Sequence, residues 1–366
     1  MSLQQDTYKR IAVVMAGGSG ERFWPMSRWN RPKQLLKLFA DEATMMEQAI
    51  QRLQGEFLPE DIYVITAEHL KGPIQEVIPG IPAANVVAEP MKRNTAGCLT
   101  YMVATLRARY GDAPISMAVV TADHLIGPES AFQADVRAAL DLAESHGGIA
   151  IIGIPPSRAE TGYGYVEIEP TVIDGSVAFP AKQFHEKPNQ QLADEYVANG
   201  NFLWNSGMFF WTLDTFTDEL TRATPAHGEV LQKLIPQLSA DDAASAARTF
   251  SELSDISIDY ALLEKASKIS VVKATFSWDD LGSWDAIGRF LDTDASGNAT
   301  SGDSVVIASE NTMVHNASAN LTVAVSHVSN LLVIATDDAV LVVDRDHAQS
   351  VKQVVNELKS RNSPKI

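Results

Sequence analysis

The chain has 366 residues, is 45% hydrophobic and 20% charged, and carries a formal net charge of −17. That balance is ordinary for a soluble globular enzyme and argues against general binding to nucleic acid or to an anionic membrane surface, so any phosphate site must be a local patch. One cysteine, Cys98, leaves no intrachain disulfide to form, and the N-terminal stretch MSLQQDTYKR lacks the apolar core of a secretion signal; both fit a reducing cytoplasm.

The first element is an apolar run, Ile11 to Ala16, that reads as a buried strand. It opens into GGSGERFWPMSRWNRPKQ, residues 17–34. Gly17, Gly18 and Gly20 free the backbone to approach a ligand, and Arg22, Arg28, Arg31, Lys33 and Lys37 make a cationic island in an acidic chain. A glycine-rich turn after a strand with Arg and Lys beside it suits a polyphosphate, whose oxygens take backbone amides and whose charge the side chains neutralise. It is not a P-loop, because Gly20 is followed by Glu21-Arg22 rather than Lys-Ser/Thr. Nor is it a dinucleotide fingerprint, since Phe23 stands where a small glycine is needed.

Further strands are expected at residues 62–66, 85–88, 116–121, 149–154, 164–168 and 208–212, with helices between them. Helix 95–110 has Asn94 as its expected N-cap, and a helix through Phe132, Val136, Ala139, Leu140 and Ala143 has Ser130. Continuous apolar strands alternating with helices predict an α/β fold with a doubly wound, mostly parallel, Rossmann-like sheet. Near residue 292 the texture changes. Turn-rich residues 292–298 mark a boundary between a 1–291 catalytic domain and a 292–366 β-rich domain. Five short strands follow, then a helix from about Asp346 to Lys359 whose Ala348, Val351, Val355 and Leu358 form an apolar stripe. With few clustered charges, this domain is expected to stabilise the protein or pair subunits rather than carry chemistry.

Three more stretches suggest chemistry. Thr121-Ala122-Asp123-His124 ends an apolar strand, where an acid suits a Mg²⁺ held on a triphosphate; a turn-capping Asp reads equally well. Trp278-Asp279-Asp280-Leu281-Gly282-Ser283-Trp284 offers two acids, one suited to a metal and one to a helix N-terminus. In Phe184-His185-Glu186-Lys187-Pro188 a carboxylate for sugar hydroxyls sits beside an ammonium for a phosphate, but on an extended segment the two face opposite sides unless the backbone turns. Glu89 to Thr95, Thr161 to Tyr165 and Asn205 to Phe209 each mix small and hydrogen-bonding residues, and singly each reads as a turn.

In order, GGSGERFWPMSRWNRPKQ, EPMKRNTAG, TADH, TGYGYVE, FHEKP, WNSGMFFW, SIDYALLEK and WDDLGSW resemble the sugar-nucleotidyltransferase family, across nearly the whole chain. The resemblance implies GTP plus mannose 1-phosphate going to GDP-mannose plus pyrophosphate, with alternatives in another sugar 1-phosphate or base, or an inactive nucleotide-sensing paralogue. It implies that Gly17, Gly18 and Gly20 cradle the phosphates, that Arg22 and Lys33 neutralise developing charge, and that Asp123 and Asp280 hold Mg²⁺. Lys187 would take the sugar phosphate, Glu186, Asn205 and Gly164 would line the sugar, and Glu89, Arg93, Asn94 and Thr95 would seat the nucleotide. It further implies a β-helix-like C-terminal domain and a homodimer. Many bacterial relatives continue into a phosphomannose-isomerase domain, an activity not expected here. His185 stands where the family usually has an apolar residue, and Phe23 and Met26 stand where leucines are common; a structural role is expected for His185.

Overall fold

The computed structural model describes residues 8–38, 43–173 and 175–366. They pack as two compact units. Of the described residues, the first comprises those within 8–16, 49–122 and 126–278; the second comprises 17–38, 43–48, 123–125 and 279–366. The sequence boundary at residue 292 falls inside the second unit.

The first unit is built on a nine-stranded sheet. Its opening strands are β1 (Lys9–Met15), β2 (Ile62–Ala67), β3 (Val86–Glu89) and β4 (Ile115–Thr121). They pair in parallel in the order β3-β2-β1-β4, with Met15 opposite both Ile65 and Thr121. Ile11 to Val14 have no exposed surface, because helices cover both faces of the sheet and leave no polar side to alternate with. After the short strand β5 (Leu125–Gly127) come β6 (Ile149–Ile154), β7 (Tyr165–Ile168), β8 (Ala178–His185), β9 (Phe202–Thr212) and β10 (Ile269–Lys273). The complete order is β3-β2-β1-β4-β9-β6-β10-β8-β7. β9 enters antiparallel to β4 and β6, and β8 antiparallel to β10, so the sheet is mixed beyond its parallel first half.

The expected helices form over Asn94–Tyr110 and Glu129–Ser145, but neither is capped as expected. Arg93 occupies the first N-cap position; Asn94 lies one residue inside in the left-handed region (φ 56°), its side chain accepting from the Thr95 amide. Pro128 holds the second N-cap position, one residue ahead of the helix that contains Ser130. One continuous core joins the sheet to helices 94–110, 213–223 and 225–239 through Leu99, Met102, Trp211, Phe216, Leu231 and Phe250.

β11 (Ser277–Asp279) leads into the second unit, whose coil strands are β12 (Ala299–Ser301), β13 (Ser304–Ile307), β14 (Met313–Asn316), β15 (Val323–Ser326), β16 (Leu331–Ala335) and β17 (Val340–Asp344). β12, β14 and β16 pair in parallel, as do β13 and β15, while β17 closes antiparallel on β16. Successive coils repeat their corners. Ala308 and His327 share a positive φ, as do Asn311 and Asn330, whose side chains hydrogen-bond at 2.9 Å. This stacking makes the domain β-helix-like. The closing helix, Val351–Ser360, buries Val351 and Val355 as its apolar stripe predicts. The core of this unit also contains Phe23, Trp24, Leu36 and Leu38, so the residues flanking the glycine-rich loop share one hydrophobic cluster with the β-coils. Among the described residues no helix is long and apolar enough to cross a membrane.

Candidate active site

In the second unit the chemistry centres on Lys33. Its ammonium donates to Asp123 Oδ2 at 3.0 Å and to the Asp280 carbonyl oxygen at 2.6 Å, joining three stretches far apart in the chain. Lys33 is 4% exposed, so the ammonium is held largely out of water and its pairing is correspondingly strong. The Phe23 ring lies 5.5 Å from it and packs on Trp284 at 5.3 Å between centroids, which explains an aromatic residue at position 23. Enclosure by protein pushes the Asp123 carboxyl up, but the charges of Lys33 and His124 outweigh this and hold it below the ordinary carboxylate range. Asp123 is therefore ionised.

The glycines differ in their reasons. Gly20 has φ +59°, and a Cβ there would come 2.5 Å from the Lys33 amide nitrogen, so this turn requires glycine in order to seat Lys33. Gly18 has nothing within 4 Å of where a Cβ would stand, and Gly17 is exposed. Arg22 is also exposed. The paired acids separate cleanly. Asp279 is 4% exposed and is engaged by Arg289 at 2.6 Å and the Leu281 amide at 2.8 Å. Asp280 lies beside Gly282, where a Cβ would stand 3.3 Å from its carboxylate. Asp123 is an ionised oxygen donor beside the Asp280 backbone, the donor type that suits a divalent cation completed largely by substrate phosphates; among the described residues no cluster of three or more His, Cys, Asp or Glu side chains forms a metal cage.

In the first unit, strand register gathers the residues expected to line the sugar. Tyr165 is opposite both His185 and Trp204, so Gly164 ahead of β7 and Glu186 after β8 come level with Asn205 inside β9. The Asn205 amide donates to the Gly164 carbonyl at 2.8 Å. A Cβ on Gly164 would come 2.7 Å from Glu186 Oε2, so that glycine makes room for the carboxylate. The backbone does turn after Glu186: Lys187 has φ 44°, which brings its ammonium back to pair with Glu186. His185 has a structural part, with Nδ1 3.2 Å from the Tyr196 hydroxyl and its ring against Phe202.

Sequence reading missed two features here. Tyr163 packs edge-on against both Trp204 and Trp278 at 5.2 Å, an aromatic wall drawn from three separate motifs. Asp259 accepts from Asn205 Nδ2 at 3.0 Å, although the chain between them gives no spacing signal.

The stretch expected to seat the nucleotide, Glu89 to Thr95, begins at the end of β3. Thr95 Oγ1 accepts from the Ile258 amide at 2.8 Å, and Arg93 donates to the Ser251 carbonyl at 3.1 Å. Glu89 is 9% exposed, and its Oε2 is buried with no hydrogen-bond partner among the described residues. Burial, aided by Asp255 and opposed by Lys92, pushes this carboxyl up to about 7.

Residues 11–296 match the nucleotidyl transferase family model, and residues 302–358 match the MannoseP isomerase/GMP-like beta-helix domain. The chain belongs to the nucleotidyl transferase family. Among curated relatives, mannose-1-phosphate guanylyltransferase of Escherichia coli is 36% identical over 357 residues, covering 95% of this chain and 74% of that protein. The alginate biosynthesis protein AlgA of Pseudomonas aeruginosa is 36% identical over 352 residues, covering 95% and 72%. A solved structure from Thermus thermophilus, named a mannose-1-phosphate geranyltransferase, is 33% identical with a TM-score of 0.85, covering 96% of this chain and 99% of that one. Membership agrees with the site: nucleotidyl transfer calls for charge neutralisation and positioning, and the residues gathered here are cations, carboxylates and glycine-freed backbone.

Proposed function

We propose that this protein is a mannose-1-phosphate guanylyltransferase, making GDP-mannose and pyrophosphate from GTP and mannose 1-phosphate. The observation that carries the reading is Lys33, shared between Asp123 and the Asp280 backbone beside a glycine-rich loop. A phosphate oxygen of mannose 1-phosphate attacks the α-phosphorus of GTP, and a new P–O bond forms. The bond to the β-phosphate oxygen breaks, and pyrophosphate leaves with the electron pair.

Gly17, Gly18 and Gly20 leave the loop backbone open to the phosphates, while Arg22 and Lys33 offset charge that builds up as pyrophosphate departs. Asp123 and Asp280 are the ligands for Mg²⁺, which when bound supplies charge neutralisation at the phosphates. Lys187 exchanges Glu186 for the sugar phosphate, which frees Glu186 to accept from sugar hydroxyls beside Asn205 and Gly164. Arg93, Asn94 and Thr95 shape the nucleotide seat. Glu89 reads the base: guanine presents N1–H and an exocyclic amino group side by side, a donor pair that one carboxylate takes in bidentate fashion. The enzyme acts in the cytoplasm as a homodimer, without nucleic-acid or membrane partners, in keeping with its acidic charge and single cysteine.

The test is a matrix of nucleoside triphosphates against sugar 1-phosphates, read by pyrophosphate release with and without Mg²⁺. GTP with mannose 1-phosphate is expected to give the highest kcat/KM. A preference for UTP or dTTP with glucose 1-phosphate would overturn the assignment, and GTP binding with no turnover of any pair would make the protein a sensor.

A further inference from the structure

Asp259 is a carboxylate of the SIDYALLEK stretch for which the sequence reading names no role. Its Oδ1 accepts from Asn205 Nδ2, while Asn205 Oδ1 accepts from the Gly207 amide at 3.1 Å. Asn205 therefore has its amide orientation fixed and much of its capacity committed within the protein. Asp259 in turn is steadied by the Thr95 hydroxyl, which accepts from the amide of the preceding residue, Ile258. A carboxylate offers about four lone-pair sites. Asn205, the Ser257 side chain and the Asp259 backbone amide use three, leaving room for one more donor.

The charge at this position has a cost. Burial and the nearby Glu186 carboxylate push the Asp259 carboxyl above its ordinary value, opposed by Lys187. An asparagine would accept equally well from Asn205 and would avoid the repulsion with Glu186. A side chain that only braced Asn205 would have no use for the charge; one that accepts hydroxyl protons does, because hydrogen bonds to a charged acceptor are the stronger ones.

We propose that Asp259 is a specificity-determining residue of the sugar half-site, accepting a hydrogen bond from a ring hydroxyl of the hexose 1-phosphate in the neighbourhood of Glu186 and Lys187. The proposal rests on reading Gly164, Glu186, Lys187 and Asn205 as the sugar-phosphate site. When the sugar phosphate draws Lys187 away from Glu186, two carboxylates are left facing the sugar ring. Asn205 then acts as a positioning residue that holds Asp259 rather than as the main hydroxyl contact.

The experiment crosses enzyme variants with substrate variants. Wild type, Asp259→Asn and Asp259→Ser are assayed by pyrophosphate release with mannose 1-phosphate and with its monodeoxy analogues, and KM for GTP and thermal stability are recorded for each. A site built to bind a hydroxyl rejects the analogue lacking it. Asp259→Asn is expected to lower kcat/KM for mannose 1-phosphate about ten- to a hundred-fold, with KM for GTP unchanged. One deoxy analogue, lacking the hydroxyl that Asp259 takes, is expected to lose activity with wild type but little more with the variant. Asp259→Ser, smaller and neutral, is expected to show the same selective non-additivity. Strictly additive losses for every analogue, or an unchanged response to mannose 1-phosphate, would reduce Asp259 to a brace. If wild type turns over no hexose 1-phosphate at all, the sugar-phosphate reading falls and the assignment falls with it. If wild type is active and the losses are additive, only the assignment falls.

Discussion

At the scale of single residues, function sits where a side chain is held against its own preference. Lys187 has a left-handed backbone and an ammonium that pairs with Glu186. Lys187→Ala is expected to lower kcat/KM for mannose 1-phosphate about ten- to a hundred-fold, the worth of one charge-assisted contact, while sparing KM for GTP; equal losses on both substrates would remove Lys187 from the sugar side. Glu89 is the reverse case, a carboxyl raised to about 7 by burial. Because its folded value lies above its ordinary one, the folded protein holds the proton more tightly, and stability falls as pH rises from the ordinary carboxylate range through about 7. Glu89→Gln is therefore expected to raise stability at pH 8 by roughly 1–3 kcal/mol and to erode discrimination between GTP and ITP, which lacks the 2-amino group. Thermal melts at pH 5 and 8, with paired GTP and ITP kinetics, check both. Neither a strained lysine nor an orphaned oxygen can be read from sequence, because each arises from packing by segments remote in the chain. The string EPMKRNT singles out Glu89, but only the fold shows that one of its oxygens lacks a partner among the described residues.

At the scale of elements, the legible strands are the fully buried ones. The runs Ile11–Met15 in β1, Met117–Val120 in β4 and the whole of β6 are apolar, and the bounds of β6 are legible to the residue. β8, AFPAKQFH, escapes a sequence reading because it is half-exposed and carries a proline and a lysine, so neither alternation nor continuity marks it. Yet β8 is what delivers Glu186 opposite Gly164. The WDDLGSW stretch is legible in kind, and geometry divides its two acids. Asp279 holds Arg289 and the Leu281 amide, whereas Asp280 stands by Lys33. Asp279→Asn breaks a nearly buried pair and is expected to cost about 1–3 kcal/mol of stability with modest loss of turnover. Asp280→Asn and Asp123→Asn should retain stability and lose most pyrophosphate release at saturating Mg²⁺. Denaturant melts and Mg²⁺ titrations distinguish the classes, and an Asp279 variant with normal stability but far lower activity than the other two would reverse the roles.

At the scale of the whole molecule, the C-terminal coils do more than follow the catalytic sequence. Phe23, Trp24 and Leu36, which flank the glycine-rich turn and Lys33, lie in one core with Trp284, Met313, Leu332, Ile334 and Val351. Trp24 Nε1 donates to the Lys365 carbonyl at 2.7 Å, and Lys359 pairs with Glu21. Ending the chain after residue 291 is expected to expose this cluster and lower the melting temperature by about ten degrees or more, the order-of-magnitude scale for losing several buried side chains, with loss of GTP affinity. A truncated protein of unchanged melting temperature and GTP affinity would show that the loop stands without the coils. The composition shift at residue 292 is visible in sequence, whereas the partnership of residues 17–38 with residues 279–366 is not, since no local pattern records a contact between segments so remote in the chain.

That partnership bears on how such enzymes can be recombined. A crossover between residues 296 and 302, where the two family matches meet, sets a foreign β-coil against a resident Phe23, Trp24 and Leu36, and the mismatch falls beside the glycine-rich loop. The smallest transferable module is discontinuous: residues 17–48 must travel with residues 279–366 for the shared core to arrive intact. Chimeras between this chain and its relatives should thus succeed or fail according to whether both stretches come from the same parent.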